Sequence, residues 1–135
     1  MKRRQVIKLA AGLASISVLK PASAEEPFIE FTPEIYTQAL GSGEPFMLAF
    51  LSDWWTTCAS QERTVSALIE DNPEYADIKL IRADWDTHRR SNFTKELKIK
   101  RRSTLVMFKD GKEIARLIAQ TNKNMIEGML KAGLI

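Results

Sequence analysis

The chain has 135 residues, 44% hydrophobic and 27% charged, enough for one compact domain and too few for a second core. Its basic pI, about 9.1, belongs to the whole sequence, because Lys2, Arg3, Arg4, Lys8 and Lys20 precede Ala24 while all 17 acidic residues follow it. Beyond Ala24 the remaining 15 basic residues face those 17 acids, a balance of −2, so charge gives no support for nucleic-acid binding.

The first 24 residues are a segment apart. Lys2-Arg3-Arg4 is a basic opening, Leu9 to Leu19 a short apolar run, and Ala22-Ser23-Ala24 an A-x-A cleavage signal, the three parts of an export signal. The run falls short of the roughly 20 apolar residues that span a bilayer. Cleavage after Ala24 is therefore expected rather than an anchor, leaving residues 25–135 as one periplasmic domain without a membrane span. Arg3-Arg4-Gln5-Val6-Ile7-Lys8 also fits twin-arginine export; an ordinary secretory signal that begins on two arginines is the alternative.

Phe28-Ile29-Glu30-Phe31 alternates weakly and predicts a short strand or extended arm. Thr32-Pro33-Glu34 then supplies an N-cap, a proline at the first helical position and an acid in the first turn, with Ile35, Ala39 and Leu40 as one apolar face. Gly41-Ser42-Gly43 ends that helix. Phe46 to Leu51 is a continuous apolar run of strand length, the pattern of a strand covered on both faces. A helix follows from about Thr57 to Glu70, stopping before Asn72-Pro73. At about 100 degrees per residue, Cys58, Glu62, Val65 and Ile69 share a narrow stripe with Leu68 at its margin. Cys58 thus faces the core, while Trp55, ahead of the helix, falls at an exposed tip.

Ile78 to Ala83 predicts another central strand, closing on Asp84-Trp85-Asp86, and Asn92 to Leu97 a short helix. Leu105 to Phe108 and Glu113 to Ile118 flank Lys109-Asp110-Gly111-Lys112, an antiparallel hairpin, since Asp-Gly accepts the positive φ of a two-residue turn. Asn124 to Ala132 is an amphipathic helix with Met125, Ile126, Met129 and Leu130 inward and Gly133 after it. The order β-α-β-α-β-α-β-β-α implies an α/β fold, a mixed central sheet flanked by helices, with the hairpin as its antiparallel part. The site is expected at the carboxyl end of the Phe46 to Leu51 strand, where the chain enters a helix.

That arrangement resembles the thioredoxin superfamily from about Phe46 to the C-terminus. Phe50-Leu51-Ser52-Asp53-Trp54-Trp55-Thr56-Thr57-Cys58 is similar to the family's strand-to-helix segment, in which a tryptophan is followed by Cys-x-x-Cys. Ile99 to Gly111 resembles the segment with the cis-proline loop, the next strand and the hairpin turn. The resemblance implies that Trp55 stands where the nucleophilic cysteine would be and Cys58 where the resolving one would be. It also implies that Ala49 replaces a buried aspartate that assists proton transfer, and Ser103 the cis-proline. Cys58 is the only cysteine. Dithiol turnover needs one thiolate to attack and a second thiol to resolve, so an intramolecular disulfide cannot form. A cis peptide before a residue other than proline costs about 2.5–4 kcal/mol, so the Arg102-Ser103-Thr104 loop is free to be trans.

The resemblance places a binding surface on Trp54, Trp55, Thr56 and Thr57 with Arg102, Ser103 and Thr104. Trp55 is its leading contact and Cys58 the candidate catalytic thiol. Asp84, Asp86 and His88 lack the convergent ligands of a specific metal site, and neither a metal nor a cofactor is expected. Arg89-Arg90 and Lys98 to Arg102 are basic runs of solvated character, of which Arg101 and Arg102 adjoin the Ser103 loop and suit an acidic partner. Two functions fit. One is an exported thioredoxin-fold protein of periplasmic thiol-disulfide redox homeostasis, at most a monothiol oxidoreductase that joins a protein or peptide partner through a mixed disulfide. The other is a non-enzymatic module that holds a peptide or partner in the same groove, for example in assembly of an exported redox protein.

Overall fold

A computed structural model describes residues 27–135; the export segment expected over residues 1–24 lies outside the described residues. Strand β1 (Phe28–Glu30) leads into α1 (Pro33–Ser42). There Thr32 Oγ1 accepts from the Ile35 amide at 3.1 Å and Gly43 closes the helix in the left-handed region at φ 75, the cap and stop that the sequence prescribes. Strand β2 (Phe46–Leu51) is buried at all six positions, and α2 (Thr56–Asp71) follows it. A 3₁₀ turn over Pro73–Asp77 precedes β3 (Lys79–Asp84), then α3 (Trp85–His88), α4 (Asn92–Glu96), β4 (Thr104–Lys109), β5 (Lys112–Ile118) and α5 (Lys123–Ala132).

The strands form one mixed sheet in the order β1-β3-β2-β4-β5. β3 pairs parallel with β1 and β2, whereas β4 runs antiparallel to both β2 and β5. Asp110 and Gly111 both take positive φ, 56 and 73, the conformation that lets a two-residue turn follow the strand twist. Because side chains alternate along β2, Met47, Ala49 and Leu51 pack with Cys58, Val65, Leu68 and Ile126 on one face. Phe46, Leu48 and Phe50 pack with Phe31, Trp85 and Ile99 on the other. The sheet is thus covered on both faces, as its continuous apolar run requires.

Two local expectations are corrected. The buried face of α2 is Cys58, Gln61, Val65 and Leu68, with Glu62 and Ile69 only half-buried: the helix is turned by about one position, because Glu62 reaches Arg82 on β3. Met125 is 49% exposed, and Ile126, Met129 and Leu130 alone anchor α5. Asp84 ends β3, as expected, and a short helix follows it directly. Its Oδ2 caps α3, accepting from the Thr87 amide and hydroxyl at 2.9 and 2.7 Å.

The 3₁₀ turn is tied to α5 by the Tyr75 hydroxyl, which donates to Glu127 Oε2 at 2.7 Å. That bond to a carboxylate, joined by desolvation, pushes the Tyr75 pKa from its usual 10.0 up to about 12. The folded chain thus favours the neutral phenol, and the stabilisation is complete below pH 10 and lost as pH rises toward 12. Comparing denaturant unfolding of native chain and Tyr75→Phe across that window, the native chain is expected to lose its advantage as the pH rises. A constant difference at every pH would contradict the linkage.

Candidate functional site

The site is built where β2 gives way to α2. The Ser52 amide donates to Cys58 Sγ at 3.3 Å, and Cys58, in the first turn of α2, is 0% exposed. Across from it Ser103 is also fully buried, its Oγ 2.9 Å from the sulfur. Ser103 has φ 66, and no cis peptide occurs among the described residues. Its amide donates to Phe50 O at 2.7 Å and its carbonyl accepts from the Ala119 amide at 2.8 Å. Gln61, buried at the next turn of α2, donates from Nε2 to Ser103 O and to Gln120 O, both at 3.0 Å. These bonds close the loop over the thiol from three directions.

Outside this plug lies an aromatic and cationic surface. Trp54 is 61% exposed, and its Nε1 donates to Asp86 Oδ2 at 2.9 Å. Trp55 is the N-cap residue of α2, and its half-buried ring packs on the core face that holds Cys58. The two rings meet edge to face at 5.2 Å. Above them the Arg102 guanidinium stands 4.6 Å from the centroid of Trp54 and 4.8 Å from that of Trp55, close enough for cation-π attraction to both. Arg102 also donates to Ser52 Oγ at 3.0 Å and lies 3.8 Å from Asp86.

Beside Ala49 on the sheet, Arg82 pairs with Asp53 at 2.6 Å and Glu62 at 3.2 Å. Burial lowers its pKa, Glu62 and Asp53 raise it, and the net shift is upward. The acids around this arginine come from the turn, from α2 and, at 3.9 Å, from Asp84 at the end of β3 itself. β2 contributes none.

Of the residues expected at the site, Trp54, Thr56 and Arg102 reach solvent, Arg102 in part, and Thr57 and Trp55 are half-buried. Cys58, Ser103 and Thr104 are withdrawn into the interior, Thr104 donating from Oγ1 to Arg101 O at 2.8 Å. The expectation that Trp55 is the exposed tip is therefore corrected: as N-cap it folds its ring inward, and Trp54 takes the outer place. Gln61 was missed. Its signal was a polar residue at i+3 from Cys58, on the same stripe as Val65. Trp55 Nε1 and Gln61 Oε1 are buried without a hydrogen-bond partner in the protein. Among the described residues no group of three or more His, Cys, Asp and Glu gathers to hold a metal ion, and no helix is long and apolar enough to cross a membrane.

A mixed five-stranded sheet with helices on both faces and a strand-to-helix site facing a buried loop defines a thioredoxin-like domain. The chain belongs to the thioredoxin family, whose model matches residues 27–132. It is 29% identical over 100 residues to the thioredoxin Asp f 28 of Aspergillus fumigatus, spanning 74% of this chain and 87% of that protein. Among solved structures, Trxlp from Edwardsiella tarda is 25% identical with a TM-score of 0.70, covering 76% of this chain and 97% of its own. Oxidized mitochondrial thioredoxin 3 from Saccharomyces cerevisiae shares the fold at 21% identity and a TM-score of 0.65, covering 78% and 94%.

A thiol closed in this way reacts only from an opened state. With an aromatic disulfide reagent, Cys58 is expected to react at least about 100-fold more slowly in the native chain than in denaturant. Ser103→Gly removes the covering hydroxyl and accepts φ 66 without strain, so it should speed the native reaction. Equal native and denatured rates would show that the plug does not exist.

Proposed function

We propose that this chain is a partner-binding thioredoxin module that works without dithiol turnover and recognises a protein or peptide through Trp54, Thr56 and Arg102. The observation that carries this reading is the complete burial of Cys58 beneath Ser103, next to a tryptophan that is 61% exposed and held in place by Asp86 and Arg102. An exposed, pre-oriented aromatic ring beside an arginine is the composition of a binding hot spot. The basic opening, apolar run and A-x-A motif of residues 1–24 support export to the periplasm, by the twin-arginine or the secretory route.

Family membership and the thioredoxin names of similar proteins favour a second reading, a role in periplasmic thiol-disulfide homeostasis. There the Cys58 thiolate would attack a partner's disulfide, forming a mixed disulfide and releasing the partner's other sulfur as a thiolate. Recovery of tagged full-length chain from the periplasm separates the two. On the binding reading, Cys58→Ser retains its partner and Trp54→Ala loses it. Complexes that are all disulfide-linked and vanish with Cys58→Ser would establish the monothiol reading and end the other.

Restoring the missing thiol tests how much of the family's chemistry has been lost. Trp55→Cys recreates Cys-x-x-Cys spacing at the N-cap of α2, where the helix dipole favours a thiolate. Measurable disulfide reductase activity against insulin is expected. No activity at all would mean that Ala49 and Ser103 disable the site as thoroughly as the absent cysteine.

A further inference from the structure

Next to the Trp54 surface, Arg89, Arg90, Lys100, Arg101 and Arg102 line one open cleft of about 460 Å³. Two separate stretches of chain build it: Arg89-Arg90 after α3, and Lys100 to Arg102 ahead of β4. Trp85 and Ile99 form its floor, both belonging to the core beneath β2 and β4. Arg89, Arg90, Lys100 and Arg101 are exposed and enter none of the salt bridges among the described residues. Asp86 is the acid on this rim. Its carboxylate is already engaged, by Trp54 Nε1 and by Arg102.

The rest of the chain makes this concentration informative. Residues 25–135 carry 15 basic and 17 acidic side chains. Without the five of the cleft, ten basic residues face 17 acids, a balance of −7. Arg89, Arg90, Lys100 and Arg101, like charges held together with no salt bridge among the described residues, repel one another, and an anionic ligand relieves that repulsion. A long polyanion or an anionic membrane engages more of the domain than the cleft, and the rest of residues 25–135 is net acidic, which disfavours both. A single small anion would find only solvated, flexible side chains drawn from two segments. A short acidic stretch of polypeptide matches the cleft in extent and sign.

We propose that the cleft binds an acidic segment of a partner polypeptide, with its carboxylates against Arg89, Arg90, Lys100 and Arg101 and the adjoining residue crossing Arg102 onto Trp54. This deepens the partner-binding reading and rests on it, since Arg102 belongs both to the cleft and to the aromatic surface. The arginine fork suits carboxylate pairing, and the contribution of each exposed pair is modest and salt-dependent.

The test is a binding titration of the full chain with a fluorescent, glutamate-rich peptide that also carries one aromatic residue. Its controls are the same peptide with glutamine in place of glutamate, inorganic phosphate, single-stranded DNA, and phosphatidylglycerol vesicles. The acidic peptide is expected to bind at least about fivefold tighter than its glutamine counterpart, less so as salt is raised. Together, Arg90→Gln and Arg101→Gln should weaken it by about fivefold while leaving the thermal midpoint unchanged. Displacement by low concentrations of phosphate would make this a small-anion site, and tighter binding of DNA or vesicles through the same arginines would make the ligand another polyanion; either overturns the proposal. If both peptides bind equally and Trp54→Ala abolishes both, the acidic assignment fails while the partner-binding reading stands. If neither binds and Trp54→Ala recovers the same periplasmic proteins as the native chain, both fail.

Discussion

Ser103 is the residue on which the site's architecture depends. Its amide reaches back to Phe50 on β2, its carbonyl receives Ala119 just beyond β5 and Gln61 from α2, and its hydroxyl meets Cys58. A left-handed φ of 66 costs a residue with a side chain about 1–2 kcal/mol. Hydrogen bonds worth about 1 kcal/mol each offset that strain. Proline at the same position could neither donate to Phe50 nor adopt this φ. Serine, where the resemblance to thioredoxins implies proline, and the closure of the thiol therefore go together: the loop has a donor to Phe50 and turns its side chain onto the sulfur.

Closure at Ser103 fixes what remains outside. With the thiol covered, Trp55 occupies the N-cap of α2 and lays its ring against the core, so the chain's outward aromatic group at this junction is Trp54. Arg102, one residue before Ser103, is carried by the same loop onto both rings and onto Ser52. The contacts that seal the interior and those that order the surface thus lie on adjacent residues. A displacement of the loop that exposed Cys58 would also move Arg102 away from both rings and from Ser52.

Elements with a single local cause were legible in the sequence. Thr32-Pro33 starts a helix because its hydroxyl and ring satisfy the first turn, Asp110-Gly111 makes a hairpin because both residues accept positive φ, and the all-apolar β2 has to be central. The site was legible as far as the inward face of Cys58 and its likeness to a thioredoxin turn. Beyond that, long-range partners decide. Periodicity alone placed Glu62 inward, but Arg82, 20 residues away in sequence, draws its carboxylate to the helix margin and leaves Gln61 to fill the interior. Trp54 and Trp55 are adjacent and chemically equal, and only the exit angle of β2 into α2 decides which one is buried. Met125 is apolar yet exposed, since three neighbours on α5 already meet what the core requires.

The cations divide by the same logic. Arg82, in the half-buried space between β3 and α2, has three carboxylates within 4 Å, from Asp53, Glu62 and Asp84. A guanidinium partly withdrawn from water needs such partners, and its raised pKa reflects them. Arg116 on β5 likewise holds Glu113 at 2.7 Å. In a chain with more acids than bases beyond Ala24, acids enough exist to neutralise the cleft of Arg89 to Arg102 as well. Among the described residues none pairs with Arg89, Arg90, Lys100 or Arg101, and Asp86 on the rim is engaged by Trp54 and Arg102. Neutral side chains at those exposed positions would serve folding equally well, which is the ground on which an acidic ligand is proposed for them.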